Sequence, residues 1–238
     1  MNKKIDFVNN YISNFISDSF PELSRFKIEM DENALYFHKT VGEYKHVLYV
    51  GLGHISYPKQ EIVHGGFHCW VEVNVVENLL LDLVLKHRLH VNQLFPTIWF
   101  NEFTITNFNE IWESFKQFKE YDLSTNIEKL DNLCQHYKEM ITHFFIPFWE
   151  QYSSIKYIND EIINKVDQMD LGDYFGTGLL QFKKLIIMRI CQNQKFESYK
   201  EWLLNIYRTK EQEMKKDQDW NAKYNLFKDL IEILETQY

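Results

Sequence analysis

From Phe67 to Val75 the chain reads FHCWVEVNV, with Phe, Cys, Val, Val and Val at every second position. Successive residues of a strand point to opposite faces. Phe67, Cys69, Val71, Val73 and Val75 therefore go to one side, and His68, Trp70, Glu72 and Asn74 to the other. A helix would scatter the first set around its axis, whereas a strand gathers it into one apolar face that has to be buried. An earlier run, Tyr44–Ser56, is joined to this one by a loop that opens at Tyr57-Pro58 and closes at Gly65-Gly66. Connections that short permit only antiparallel neighbours. Phe26–Met30 and Leu35–Thr40 add two shorter β-like runs, with turns at Asp31-Glu32-Asn33 and Val41-Gly42-Glu43.

Outside this region the period changes. Ile5, Val8, Ile12, Phe15 and Ile16 recur at helical spacing, which predicts an opening amphipathic helix over 3–17. Residues 77–90 read as a helix ending in His87, Arg88 and His90, while 97–105 fit strand and loop equally. Beyond Asn109 the pattern is helical. Ile127, Leu130, Cys134, Tyr137, Ile141, Phe144 and Phe148 step by three and four, and Pro147 predicts a kink or stop in that stripe. Residues 153–168 form another expected helix, with Ser153 or Ser154 as its cap. Residues 179–192 are apolar nearly all round and predict a central helix. The expected fold class is α+β, with a small antiparallel sheet in the N-terminal half followed by a mostly helical C-terminal half. No linker divides the chain, so 1–238 reads as a single α+β domain. The best place for a sub-boundary is Tyr121–Ser124, dividing 1–121 from 122–238.

Composition narrows the function classes. The net charge is −8 and evenly spread: residues 1–120 hold 11 Lys+Arg against 15 Asp+Glu, and 121–238 hold 15 against 19. Without a basic stripe there is nothing to release counterions from a phosphate backbone, so no nucleic acid is expected as a partner. A mildly acidic surface suits a basic protein partner. Aromatics reach 16% with only two alanines, Ala34 and Ala222, a bias that an AT-rich genome explains. Cys69, Cys134 and Cys191 are odd in number and far apart, which predicts reduced thiols and no disulfide framework. The absence of a signal-peptide pattern and of a long apolar run predicts a cytoplasmic protein with no membrane association.

The sequence carries no nucleotide-binding, nucleophile-elbow or zinc-protease motif, so no catalytic residue and no cofactor are expected. Gly51 and Gly53 in VGLGH read as strand positions where a backbone or large ring packs closely. Two site readings compete. In one, the even face of the strand, His68, Trp70 and Glu72, anchors a protein partner, because Trp is a frequent interface anchor; Trp99 and Trp149 are assigned to the core. In the other, His54 and His68 face each other across two strands and, with His64 from the loop or Glu72, hold Zn²⁺ for a metal-dependent enzyme.

The segment FIPFWEQYSSIKYINDEI, which starts at Phe145, resembles a helix–Pro–Phe–aromatic–acid–helix pattern in an uncharacterised class of bacterial domains of unknown function. There, a strand pattern like LYFHKTVGEYKHVLYVGLG precedes the helices. The resemblance stops short of residues 175–238. Some small α+β domains of this kind are associated with toxin–immunity loci, so it implies an immunity or accessory protein that binds another protein, and it carries no catalytic residue over.

Overall fold

A computed structural model describes residues 3–26, 33–55, 61–90, 96–175, 179–211, 213 and 217–238. The fold is α+β: a five-stranded antiparallel sheet lies in the N-terminal half and the C-terminal half is mostly helical. The chain forms two compact units. One comprises Met1–Val71 with Trp99–Gln151, the other Glu72–Ile98 with Tyr152–Tyr238. Tyr121–Ser124 lies inside the first unit.

The first unit begins with helix α1, Lys3–Ser19, which buries Ile5, Val8, Ile12 and Ile16 along one stripe. The strands follow in the order β1 (Ser24–Phe26), β2 (Ala34–Val41), β3 (Tyr44–Ile55), β4 (Glu61–Val73) and β5 (Ile98–Trp99). Most of the expected run Phe26–Met30 lies outside the described residues, as does the Tyr57-Pro58 loop. β2 and β3 form a hairpin with Leu35 opposite Val50, Phe37 opposite Leu48 and Val41 opposite Tyr44. Its turn is Gly42-Glu43, and Gly42 has φ +58°, the backbone sign that two-residue hairpin turns require.

One sheet face is backed by helices of the same unit. These are α3 (Phe108–Lys116), α4 (Ile127–Met140) and α5 (Ile146–Tyr152). Leu35, Phe37, Leu48 and Val50 point to this side and are buried to 1% exposure or less. The core is aromatic. Phe67 lies 4.7 Å from Phe115 and 5.4 Å from Phe145 between ring centroids, and Phe100 meets Phe145 at 5.1 Å and Phe148 at 5.2 Å. Such tilted and edge-on pairs add about 0.5–1.5 kcal/mol each beyond simple burial.

Pro147 does not stop the long helical stripe. Ile141–Phe145 widens into a π-helical turn, and α5 resumes at Ile146. A π-turn shifts the hydrogen-bond ladder where proline has no amide to give, so the stripe stays continuous.

The second unit holds α2 (Asn74–Lys86), α6 (Ile155–Tyr157), a π-turn at Ile158–Ile163, α7 (Leu171–Phe175), α8 (Leu180–Ile190), α9 (Phe196–Glu211) and α10 (Gln218–Gln237). Ser154 caps α6, its hydroxyl accepting from the Tyr157 amide at 3.2 Å. α8 is buried on every side from Phe182 to Met188, as its apolar sequence requires. Its two buried lysines divide their roles. Lys183 donates to Glu77 at 2.7 Å, and the Thr97 hydroxyl donates to the same oxygen. Burial raises the pKa of Glu77 and lowers that of Lys183, so desolvation outweighs mutual attraction at both ends. The pair fixes α8 against α2 at a defined register.

Asp122 and Leu123 join α3 to α4 by clamping the start of β4: Leu123 donates to the Ile62 carbonyl at 2.7 Å, and the Asp122 carboxylate accepts from the Ile62 amide at 3.1 Å. A fragment ending at Leu123 keeps the sheet but loses Leu130, Leu133, Cys134 and Tyr137, which α4 buries. We expect that fragment to unfold in urea without a sigmoidal transition. A cooperative transition would mean that the sheet and α3 fold without α4.

Candidate functional site

β4 does not alternate regularly along its length. His64 is 1% exposed and stacks on Phe115 at 5.1 Å, with Tyr137 Oη 2.7 Å from its Nε2. Phe67 touches the same Phe115 ring. Residues three apart in a regular strand point to opposite faces, so an extra residue is absorbed between them, as in a β-bulge. Gly65 and Gly66 make this possible. Gly66 has φ +133°, a conformation open essentially to glycine, and a Cβ on Gly65 would come within 3.1 Å of the Gly53 backbone nitrogen.

Below the bulge the alternation expected from sequence resumes. Phe67, Cys69, Val71 and Val73 are buried, His68 is exposed, and Trp70 is half-buried. β4 ends at Val73, and Asn74 and Val75 open α2, so the even set stops at Glu72.

On the face opposite the helices, aromatic rings run from strand to strand. Tyr36 of β2 meets Tyr49 of β3 at 5.1 Å, Tyr49 meets His68 of β4 at 5.3 Å, and His68 meets Trp99 of β5 at 5.8 Å. Trp70 joins Trp99 at 5.5 Å. Cross-strand neighbours on one face stand close enough for such pairs to form. Gly51 shapes the row, because a Cβ there would lie 2.9 Å from the Tyr49 ring. The glycine lets that ring lie along its own strand.

The row ends in a cleft of about 360 Å³ lined by His68, Trp99, Phe67, Phe100, Phe108 and Trp112, with Asn101 as its amide. Phe108 and Trp112 stack at 6.0 Å. The Asn101 side chain accepts from the Phe103 amide at 3.0 Å and the Thr104 amide at 3.2 Å, and Phe103 on that turn is 49% exposed. Among the described residues of the lining His68 is the one titratable side chain, and partial desolvation lowers its pKa although the ring keeps access to solvent. The cleft therefore offers apolar surface and few charges.

The expected site residues part company here. His68 and Trp70 belong to the row. Glu72 belongs to the second unit, where its charge acts on Glu77 and Lys183. Trp149 is core, 2% exposed and near the His46 ring at 5.4 Å. Trp99, assigned to the core from sequence, is a half-buried member of the row instead. Its neighbour Phe100 takes the core position, its amide donating to the Cys69 carbonyl at 2.9 Å. Tyr36, Tyr49 and Trp99 were missed, although strand parity in LYFH and VLYVG marks the two tyrosines.

Of the three histidines in the metal reading, His64 and His68 have described side chains. His64 and His68 leave β4 on opposite faces, the bulge having turned one inward, and the His54 side chain lies outside the described residues. Among the described residues no cluster of His, Cys, Asp and Glu is arranged to hold a metal ion. All three cysteines are free thiols, and burial raises each pKa, that of Cys134 to about 12.

A Ser–His pair also occurs: Ser114 Oγ lies 2.7 Å from His136 Nε2. The Ser114 hydroxyl donates to the Ile111 carbonyl at 2.6 Å, so the ring nitrogen is the donor to Oγ. That polarity is the reverse of an activated nucleophile.

Comparison with family models, curated proteins and solved structures finds no match. Among the described residues no helix is long and apolar enough to cross a membrane.

The buried histidines make a pH signature. Burial lowers His64 from 6.5 to about 3 and His46 to about 4. The unfolded chain binds a proton at each site below about 6.5, whereas the folded chain refuses it until the lower value, so stability falls as pH falls through that window. Each group accounts for up to about 1.4 kcal/mol per pH unit. Replacing His64→Gln should flatten urea-derived stability between about pH 4 and 6 by close to one proton. An unchanged slope would place His64 in water.

Proposed function

We propose that this chain is a non-enzymatic binding protein whose aromatic row, His68, Trp70 and Trp99 with Tyr36 and Tyr49, holds a basic protein partner. The observation that carries the reading is the row itself, rings in contact across four strands and ending in an aromatic cleft. Aromatic rings of this kind are frequent interface anchors, and their faces attract Lys and Arg side chains. The chain already uses that interaction internally, with Lys119 Nζ 5.3 Å from the Trp112 ring centroid.

Charge supports a basic partner, since a net −8 steers cations toward the protein. It also speaks against nucleic acid and anionic lipid. Among the described residues the lining has one titratable group and no carboxylate, so acid–base catalysis finds no second participant there. The immunity or accessory role implied by the resemblance at Phe145 fits this reading, as does a cytoplasmic setting. Glu72 drops out of the proposed contact and Trp99 replaces it.

The test is a tryptophan-fluorescence titration of the whole chain with short arginine-rich, glutamate-rich and neutral peptides. Arginine-rich peptides should bind, more weakly as salt rises. Trp99→Ala should weaken that binding by about thirtyfold, the scale of an interface hot spot. Equal response to all three peptides, or full binding by Trp99→Ala, would overturn the proposal. Binding of neutral oligosaccharide in place of peptide would reassign the row to sugar recognition.

A further inference from the structure

A second cleft, within the second unit, has the opposite character. It encloses about 240 Å³ against α8 and the first turns of α9, and its lining includes Lys184, Lys195, Ser198, Tyr199 and Trp202. Lys184 is 8% exposed, with its ammonium 4.2 Å from the Tyr199 ring centroid and hydrogen-bonded to the Gln168 amide oxygen. Neither contact supplies a negative charge. Among the described residues neither Lys184 nor Lys195 is ion-paired, although Glu197 nearby is committed to Lys200 at 2.5 Å. Burial first, and then repulsion from Lys195, lowers Lys184 to about 8.

Among the described residues Lys184 is buried with no carboxylate beside it, and the exposed Lys195 lines the same cavity. A buried ammonium without a counter-charge is costly, and an anion in the cleft would offset that cost. The N-terminus of α9, which starts at Phe196, adds positive potential at the same end, although the Phe196 amide itself donates to the Asn193 carbonyl at 2.9 Å. Tyr199 and Trp202 stack at 5.4 Å and 24°, and Trp202 is 46% exposed, which leaves ring surface beside the charged pocket. The dimensions suit a small ligand, since cofactor-sized pockets start at about 300 Å³.

We propose that this cleft binds a small phosphomonoester carrying a planar ring. The phosphoryl group sits between Lys184 and Lys195, and the ring stacks on Trp202. A phosphomonoester carries about −1.5 to −2 at neutral pH, which matches two ammonium groups without carboxylate partners better than a single carboxylate does. The site lies apart in sequence from the aromatic row and stands independently of the function proposed for it.

Calorimetric titration of the full chain with phenyl phosphate, inorganic phosphate and phenol tests this. Phenyl phosphate should bind most tightly, inorganic phosphate more weakly, and phenol not measurably. Lys184→Met and Lys195→Met should each weaken both phosphates by about tenfold or more, the scale of a lost charge-assisted hydrogen bond. Trp202→Ala should remove the advantage of phenyl phosphate and leave inorganic phosphate unchanged. Lys195 is exposed, so its variant keeps the test valid if Lys184→Met fails to fold. No phosphate binding by the native chain, binding indifferent to Lys195→Met, or an undiminished preference for phenyl phosphate in Trp202→Ala would overturn the proposal.

Discussion

Strand β4 has to serve two surfaces, and the bulge at Gly65-Gly66 is the constraint that lets it do so. Above the bulge, His64 points into the helical core against Phe115 and Tyr137. Below it, Phe67 points the same way, which sends His68 and Trp70 outward. Without the extra residue, either His64 or the whole series from Phe67 to Val73 would face the wrong side, because a one-residue slip exchanges the faces of a strand. The aromatic row and the buried histidine are thus two results of one backbone feature.

The polar groups inside each unit work as register marks more than as sources of stability. His64 with Tyr137, and Lys183 with Glu77 and Thr97, are buried contacts whose charged forms are disfavoured by desolvation. Well-packed apolar replacements would often be as stable. What the polar pairs add is discrimination: any sliding of α8 along α2, or of α4 along β4, leaves a buried polar atom without its partner, at about 1–3 kcal/mol. Core aromatics such as Phe67, Phe100 and Phe115 tolerate small shifts more readily, so the polar contacts select among packings that the rings permit.

The fold class was legible in the sequence because both periods are long and clean: every second residue from Phe67 to Val73, and steps of three and four from Leu130 to Phe148. Legibility failed where a few residues decide. β5 is two residues long, too short for a pattern, so Trp99 could not be placed and was assigned to the core. Helix α2 claimed Asn74 and Val75 although the alternation ran through them, and the Val73 amide, bonded to Thr97 Oγ1 at 2.9 Å, marks where strand gives way to helix. Lys183 and Lys184 sit adjacent in an apolar run, and nothing in their order shows that one meets a carboxylate and the other a cleft. His64, His68 and Gly66 were all visible, but the parity change between them depends on a backbone angle that residue spacing does not encode.

The central claim is that the glycine bulge orients the aromatic row, and substitution at Gly66 tests it most directly. An L-residue at φ +133° is strained by about 1–3 kcal/mol. Equilibrium urea unfolding of Gly66→Ala should therefore show a loss in that range, with tryptophan emission of the folded state shifted as His68, Trp70 and Trp99 rearrange. Unchanged stability together with an unchanged folded-state spectrum would mean that β4 reaches both faces without the bulge, and the account of the site would fail with it.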